Sequence, residues 1–424
     1  MTWILATIAA LSPGQWQSQP SGTDARLRGV SAVDRDVAWA GGSRGTCLRT
    51  TDAGKTWKPR VVPGAADLDF RDVQGFGDRT AYLLSIGPGP LSRIYKTTDA
   101  GATWSLSCRN PDPAGFLDAI AFFDADHGLA LGDPVGGRFV ILATGDGGQT
   151  WAEVPDAGMP LALPGEGAFA ASGTCLVVQG DRHAWFGTGG GKSARVFRSD
   201  DRGRTWAASE TPIRAGNASS GVFSLAFDGP DRGIAVGGDY KQVDEAEGNL
   251  TWTSDGGRTW SKAEGSRPAG FRSAVAFVPG SGGKAVVAVG PSGSDRSEDG
   301  GKTWSKLEGP GFHALSFGKN EPNGWAVGEG GRIARLDLRS GPPPRDQGFE
   351  PASGPSTTGV SSALPQSDQP RSKFRVEIPR RPGLPRAAWT SSNVARRAVG
   401  PAAGARVAEA RANRVSKDLY ITSP

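Results

Sequence analysis

Residues that build disulfide frameworks and metal sites are scarce in this sequence. Its 424 residues include three cysteines and three histidines. The cysteines are an odd number without metal-ligand spacing, and no histidine has a second ligand at a usual spacing. The residues concerned are Cys47, Cys108, Cys175, His127, His183 and His313. We therefore expect no disulfide framework and no bound metal.

The apolar run at residues 2–11 is too short to span a bilayer. It resembles the apolar core of a signal peptide, although no lysine or arginine precedes it. We therefore interpret residues 1–12 as the remnant of a signal peptide. On this interpretation the protein acts outside the cytoplasm, in the periplasm or after secretion.

Glycine and tryptophan are abundant, with 63 and 13 copies, and many of them belong to a repeat. Six octets fit the pattern Ser/Thr-x-Asp-x-Gly-x-Thr-Trp, at residues 50–57, 97–104, 144–151, 199–206, 253–260 and 297–304. Their aspartates are 47, 47, 55, 54 and 44 residues apart. That spacing is the length of one four-stranded blade of a β-propeller.

Each octet is predicted to be a hairpin turn followed by an apolar plug. The aspartate carboxylate folds back onto backbone N–H groups, glycine supplies a positive φ, and tryptophan offers a large apolar surface. An enzyme has no use for six equivalent acids, so we assign these residues a structural role. They are Asp52, Asp99, Asp146, Asp201, Asp255, Asp299, Trp57, Trp104, Trp151, Trp206, Trp260 and Trp304.

A seventh unit is split between the two ends of the chain. Residues 312–317, 324–328 and 332–336 read as three strands, and no octet tryptophan follows them. Residues 14–17 supply the missing outer strand, with Trp16 in the octet-tryptophan position. We therefore predict an all-β, seven-bladed β-propeller over residues 13–338. The ring is closed by pairing of the N- and C-terminal strands, which hides sheet edges.

Residues 339–424 differ in composition from the propeller. They hold 14 Lys plus Arg against 6 Asp plus Glu, together with stretches rich in proline, serine, alanine and arginine. Such a segment cannot bury enough apolar area to offset its ordering entropy, so it is predicted to be a disordered basic tail. Its charge would allow contact with an anionic surface.

Glycine-rich residues 187–193 resemble a phosphate-binding loop. The pattern requires glycine where Phe186 stands, and the segment joins two predicted strands, whereas a phosphate loop opens a helix. We therefore expect neither a nucleotide nor another cofactor. A nucleotide-dependent oxidoreductase has no support in this sequence.

The octets resemble the Asp box, also called the bacterial neuraminidase repeat. Residues 14–338 most resemble the photosystem II stability/assembly factor-like propellers, including the Gly-Trp-Ala-Val-Gly strand at residues 324–328. The resemblance implies a non-catalytic, exported scaffold whose arginines help to bind a client. Arg93, Arg195 and Arg332 recur five or six residues before an octet aspartate or its equivalent. We expect a monomer that binds a protein or a glycan.

The alternative function is that of a glycoside hydrolase, since sialidases carry the same box. Sialidases use a tyrosine nucleophile, and the Phe/Tyr-Arg-Ile-Pro motif of that family is absent here. Tyr82 and Tyr95 fall within predicted strands, so only Tyr240 lies in a loop that could reach a central pocket. The carboxylates of a hydrolase would come from loops on the face opposite the octets.

That opposite face holds the candidate ligand-binding residues Asp133, Glu166, Asp239 and Tyr240. Asp133 follows the second strand of blade three, and Asp239 and Tyr240 follow the second strand of blade five. Glu166 precedes the first strand of blade four. Glycines beside them would let a ligand approach the backbone. We expect an acidic mouth that takes a polyhydroxyl or cationic group. The other interpretation is that they are ordinary solvated acids in glycine-rich turns.

Overall fold

The computed structural model describes residues 14–155 and 158–338 as seven four-stranded antiparallel sheets arranged as a propeller. Residues 1–12 and the tail at 339–424 lie outside the described residues, so the predictions made for them stay predictions. Within the described residues, no helix is long and apolar enough to cross a membrane.

The strands follow one another in chain order, four to a blade. Blade one holds β2 (Leu27–Ala32), β3 (Ala38–Gly42), β4 (Thr46–Thr50) and β5 (Lys58–Val61), and blade two holds β6 (Asp69–Gly75), β7 (Ala81–Ile86), β8 (Arg93–Thr97) and β9 (Ser105–Arg109). Blade three holds β10 (Leu117–Phe122), β11 (Gly128–Val135), β12 (Arg138–Thr144) and β13 (Ala152–Glu153). Blade four holds β14 (Leu176–Gln179), β15 (His183–Gly187), β16 (Arg195–Ser199) and β17 (Ala207–Glu210).

The remaining blades follow the same plan. Blade five holds β18 (Ser220–Asp228), β19 (Arg232–Asp239), β20 (Leu250–Thr253) and β21 (Ser261–Lys262), and blade six holds β22 (Ala274–Phe277), β23 (Val286–Gly290), β24 (Gly293–Ser297) and β25 (Ser305–Leu307). Blade seven holds β26 (Ala314–Phe317), β27 (Asn323–Val327), β28 (Ile333–Asp337) and β1 (Trp16–Gln19). Short 3-10 turns lie at Gly89–Leu91 and Glu329–Gly331.

The predicted closure of the ring is confirmed. Strand β1 pairs antiparallel with β28, and Trp16 lies opposite Leu336 while Gln19 lies opposite Ile333. The strand begins two residues later than the predicted 14–17. The seven-bladed architecture predicted from the octet spacing is therefore the observed one.

The core is divided among the junctions between successive blades. One cluster joins Leu27 and Trp57 of blade one to Trp325 of blade seven, and another joins Trp185 of blade four to Val222 of blade five. Among the octet tryptophans, those at 57, 206 and 304 are buried and the other three are half-buried. Each octet tryptophan thus packs where one blade meets its neighbour.

The octets form the predicted turns between third and fourth strands. In the first, the Asp52 carboxylate accepts hydrogen bonds from the N–H and hydroxyl of Thr56, at 2.9 and 2.7 Å. The Thr50 hydroxyl accepts the N–H of Gly54 at 2.9 Å. The residue after the aspartate is left-handed as well, and in this octet it is Ala53, with φ 62°. The turn therefore needs two consecutive residues with positive φ, Ala53 and Gly54 in this octet, whereas the sequence pattern predicted only the glycine.

The alternation of strand direction gives the ring two faces. The octets lie at one end of the ring axis, which we call the octet face. The hairpins between second and third strands and the links between blades lie at the other end, which we call the link face. Asp133 and Asp239, predicted in turns on the link face, are instead the near-terminal residues of β11 and β19. A bulge beside Asp133 lets the strand continue past Gly132.

Candidate binding face and the axis beneath it

Glu166 lies in a buried ion pair within blade four. Its carboxylate binds the Arg195 guanidinium through two hydrogen bonds, one of them from Nε to Oε1 at 2.8 Å. The Thr188 hydroxyl donates to Oε1 at 2.6 Å and the Leu163 N–H to Oε2 at 2.8 Å. Only 1% of Glu166 is exposed. This acid therefore ties the link before β14 to the hairpin between β15 and β16.

The other two predicted acids are also buried and bound by the chain's own donors. Asp133 accepts the N–H of Ala168 at 3.1 Å. Asp239 accepts the Asn217 side-chain amide at 3.1 Å and the N–H of Lys241 at 3.0 Å. Such bonds compensate the burial of a carboxylate. The expectation of exposed acids in an open mouth is therefore wrong, because local donors enclose each carboxylate.

Tyr240 is half-buried at the edge of an aromatic cluster. Its ring lies edge-on to Phe223 with centroids 6.1 Å apart, and Phe223 stacks on Phe169 with centroids 3.9 Å apart. Phe169 follows Glu166 and Ala168 in the chain, so this short stretch connects to all three of the blades that hold the predicted residues. A ligand-binding role for the four residues stays a prediction.

The stretch at residues 167–174, which we call the axial segment, reaches from blade four to blade two. The Arg71 guanidinium donates to the carbonyl of Ala170 at 3.2 Å. Gly173 packs directly on the carboxyl of Asp72, where an added β-carbon would lie 2.2 Å from Oδ1. Blade three stands between these two blades, so both contacts pass over the inner edge of a neighbour.

The same segment also reaches blade six on the other side. The Ser172 hydroxyl donates to the carbonyl of Ser273 at 2.8 Å. Phe169 and Ala171 pack with Phe223 of blade five and Phe271 of blade six in one buried cluster. A segment of blade four that contacts blades two and six must cross the centre of the ring. The axis is therefore filled by the chain itself at this level.

Beside the axial segment lies a group of paired charges that the sequence reasoning missed. Arg71 binds Asp69 at 2.9 Å, from Nε to Oδ2. Nε2 of His313 lies 2.6 Å from Oε1 of Glu329, and Nη2 of Arg28 lies 3.8 Å from that oxygen. Burial, aided by the positive charge of the arginines, lowers the pKa of His313 to about 4. A recurring sequence pattern marks these residues. In several blades a basic residue directly follows a buried apolar residue at or just before the start of the first strand.

Asp72 is the acid in most direct contact with the axial segment. Its Oδ2 accepts the N–H of Ile120, on the first strand of blade three, at 2.7 Å. Burial raises the pKa of the Asp72 carboxyl to about 7, because the enclosed site disfavours its charged form. The protonation of this carboxyl therefore changes near neutral pH.

The three recurring arginines support turns on the link face. Arg93 donates to the carbonyl of Pro90 at 2.7 Å, and Arg332 donates to the carbonyl of Gly311 at 2.7 Å. Arg195 binds Glu166, as described above. Arg93 and Arg332 are partly exposed, so the same guanidinium groups border the surface available to a partner.

The described residues hold no group of three or more His, Cys, Asp and Glu placed to bind a metal ion. Cys47 and Cys175 are buried, and burial raises the pKa of the Cys47 thiol to about 12. The glycine-rich residues 187–193 connect β15 to β16, as the sequence predicted. Neither feature adds a reactive group to the link face.

Fold and site together define a seven-bladed propeller with an occupied axis, and sequence comparison relates it to two groups of proteins. No protein-family model matches the chain. It is 25% identical over 316 residues to the photosystem II assembly protein Ycf48 of Thermosynechococcus vestitus, covering 65% of this chain and 83% of that protein. It is 27% identical over 252 residues to the xyloglucanase Xgh74A of Acetivibrio thermocellus, covering 51% of this chain and 28% of the enzyme.

A solved structure described as YCF48 bound to D1 peptide has the same fold. It matches with a TM-score of 0.55 and 20% identity, covering 78% of this chain and 99% of the other. The chain is thus homologous to photosystem II assembly factors and to propeller enzymes that act on xyloglucan. It matches most of the length of the former and about a quarter of the length of the latter.

Proposed function

We propose that this protein is a non-catalytic, exported propeller that binds a protein client through its link face. The observation that carries the proposal is the filled axis. Residues 167–174 cross the ring axis, so the chain itself fills the centre of the ring at this level. What remains for binding is the rim of the link face, bordered by Tyr240 and the partly exposed Arg93 and Arg332.

Similarity to assembly factors supports the same proposal. The alignment with the Thermosynechococcus protein covers 83% of that protein, and a structural relative is described as bound to a peptide. A broad polar rim around a rigid ring suits the docking of an extended polypeptide. The client itself has to be identified by experiment.

The second candidate is a glycoside hydrolase, favoured by the similarity to the xyloglucanase. Its carboxylates would be Asp69 and Glu329, which stand near the axis on the link face. Asp69 is bound to Arg71 and Glu329 to His313. Although burial raises the pKa of Glu329, the hydrogen bond and charge of His313 lower it overall, which makes this carboxylate unsuited to act as a general acid. Tyr240 packs on Phe223, which limits its use as a nucleophile.

A display library of random linear peptides can test the first function. Peptides selected on the wild-type protein should lose binding in the Arg93→Ala/Arg332→Ala double variant and in Tyr240→Ala. A matched pair of substitutions on the octet face, Lys55→Ala/Lys302→Ala, should leave binding unchanged. Selected peptides whose binding depends on the octet-face lysines would reject the link face as the binding surface.

Release of reducing sugar from xyloglucan tests the second function. The scaffold function predicts release no greater than that of a blank without protein. Release above the blank that disappears in both Asp69→Asn and Glu329→Gln would replace the scaffold function with the hydrolase. Circular dichroism of each variant would verify that the fold is intact.

A further inference from the structure

The axial segment is an irregular stretch of chain that belongs to no β-strand. Residues 168–174 lie outside every β-strand, and blade four begins its first strand only at Leu176. The segment contains no charged side chain. It is held by hydrogen bonds that involve side chains of blades two, three, five and six, and by one backbone hydrogen bond from the N–H of Leu225 to the carbonyl of Thr174. Local opening is easiest where backbone ladder hydrogen bonds are few.

One of these contacts is with a group that can change its charge. Oδ1 of Asp72 faces the α-carbon of Gly173 closely enough that no β-carbon would fit between them. Oδ2 accepts the N–H of Ile120, and the N–H of Val73 also hydrogen-bonds this carboxyl. Two faces of the carboxyl are therefore occupied by backbone, and water has no room on the side of the axial segment.

Other charges around Asp72 are already engaged. The charged side chains on β6 itself and on the neighbouring inner strands are Arg28, Asp69, Arg71 and Asp118. Arg71 directs Nε to Asp69 and Nη1 to the carbonyl of Ala170. It thereby holds the axial segment in place while bonding to a different carboxylate. The closed arrangement suits a neutral Asp72, because a buried ionised carboxylate requires more donors than the two backbone N–H groups of Ile120 and Val73.

We propose that residues 167–174 are a proton-latched plug. With Asp72 protonated, the segment lies closed across the ring axis. When Asp72 loses its proton, the segment moves off the carboxyl, and water enters to solvate the charge. Proton loss and plug opening are thus one coupled equilibrium.

Plug opening would also change the link face, a consequence that rests on the proposed function. The N–H of Ala168 binds Asp133, and Phe169 supports the aromatic cluster that ends in Tyr240. Moving the segment would release both contacts. A client would then meet different rim geometries below and above neutral pH.

Hydrogen–deuterium exchange of the full chain without any partner tests the latch. We compare a peptide covering residues 168–175 at a series of pH values, after correction for the intrinsic pH dependence of exchange. Protection should be highest below about pH 4, should fall about tenfold per pH unit between about pH 4 and pH 7, and should level off above about pH 7, since opening releases a proton only where the carboxyl is neutral in the closed form and ionised in the open form. In Asp72→Asn, which keeps an acceptor for Ile120 but cannot ionise, protection should be independent of pH.

Asp200→Asn is the matched control, because it removes a carboxylate that binds His183 on the octet face. It should keep the wild-type response. A flat wild-type profile, or a response that persists in Asp72→Asn, overturns the proposal. Gly173→Ala provides an independent measurement if Asp72→Asn does not fold. Its added β-carbon should displace the axial segment, so the amides of residues 168–175 should exchange rapidly at every pH while those of β6 stay protected. A wild-type exchange profile in this variant would also overturn the proposal.

Discussion

Trp57 and Trp325 share one hydrogen-bond acceptor, since both indole N–H groups donate to Oε1 of Gln19 at 3.0 Å. Trp57 belongs to blade one and Trp325 to blade seven, while Gln19 lies on β1. The amide of Gln19 also donates to the carbonyl of Ala53 at 3.0 Å. One side chain thus joins the first octet, the last blade and the closing strand.

We expect Gln19→Leu to destabilise the ring by about 2 kcal/mol, because two buried indole donors lose their acceptor. Gln19→Glu should recover part of the loss, since its carboxylate can still accept both donors. Urea denaturation of the two variants measures the difference. Ser18→Ala, at an exposed position of the same strand, should change little. Equal stabilities for Gln19→Leu and the wild type would show that water replaces the shared acceptor.

The second prediction concerns the left-handed residue after the octet aspartate. Ala53 and Ala100 occupy that position with φ 62° and 67°, where alanine is strained and glycine is not. Ala100→Gly should raise the free energy of unfolding by about 0.5 kcal/mol, the balance of relieved strain and added chain entropy.

The neighbouring glycine provides the opposite substitution. Gly101→Ala would place a β-carbon at a φ of 79°, and it should lower the free energy of unfolding by about 1 kcal/mol. Denaturation in urea gives both values. If Ala100→Gly lost stability, the strain assigned to this position would be too small to matter.

The third prediction concerns acid. The hydroxyl and then the N–H of Thr103 hold the pKa of Asp99 at about 2, and Thr150 does the same for Asp146. A lowered pKa in the folded state gives stability that is present above the ordinary value of 3.8 and is lost as pH falls through about 2. The midpoint in urea should therefore fall steeply over this range.

Asp146→Asn should reduce that slope, because it removes one of the protons taken up on unfolding. Substitution of Asp67, an exposed aspartate outside the octets, provides the control. An unchanged slope in Asp146→Asn would contradict the assignment of the acid response to the octets.

The fourth prediction is a pair of opposite pH dependences. The folded pKa of Asp72, about 7, lies above its ordinary value, so its contribution to stability grows as pH falls through 7. The folded pKa of His313, about 4, lies below its ordinary value of 6.5, so its contribution is lost as pH falls through 6.5. The two contributions oppose each other in the wild type.

Each single substitution should therefore reveal the other group. In Asp72→Asn, stability should decrease between about pH 6.5 and pH 4, while in His313→Gln it should increase over the same interval. Urea midpoints at matched pH values measure both. If stability changed with pH in the same direction in both variants, at least one of the two groups would lack the shifted pKa assigned to it.

The features that the sequence predicted are those encoded by local repetition. The octets recur at blade length, and Trp16 marks the missing outer strand, so blade number and ring closure both follow from pattern. The alternation of strands also places Asp133 and Asp239 toward the ends of β11 and β19. Periodicity is enough here because each blade packs mainly on its neighbours.

The features it did not predict depend on contacts between distant residues. Ser172 binds Ser273 across the ring axis, 101 residues further along the chain, and Arg71 binds Ala170 at a separation of 99. Nothing in the composition of residues 167–174 distinguishes a plug from a glycine-rich loop. Likewise, Glu166 resembles a solvated turn acid until Arg195 is placed beside it by the fold of blade four.

The pairing of β1 with β28 also determines when the ring can be completed. Gln19 contacts Trp325 across 306 residues of sequence, so a chain emerging from the ribosome builds blades one to six before the partner of β1 exists. Until then β1 and the face of blade one that packs on blade seven remain exposed, and bringing such distant segments together carries a loop-closure cost that grows slowly with length. The early blades must hold their shape without the closing strand.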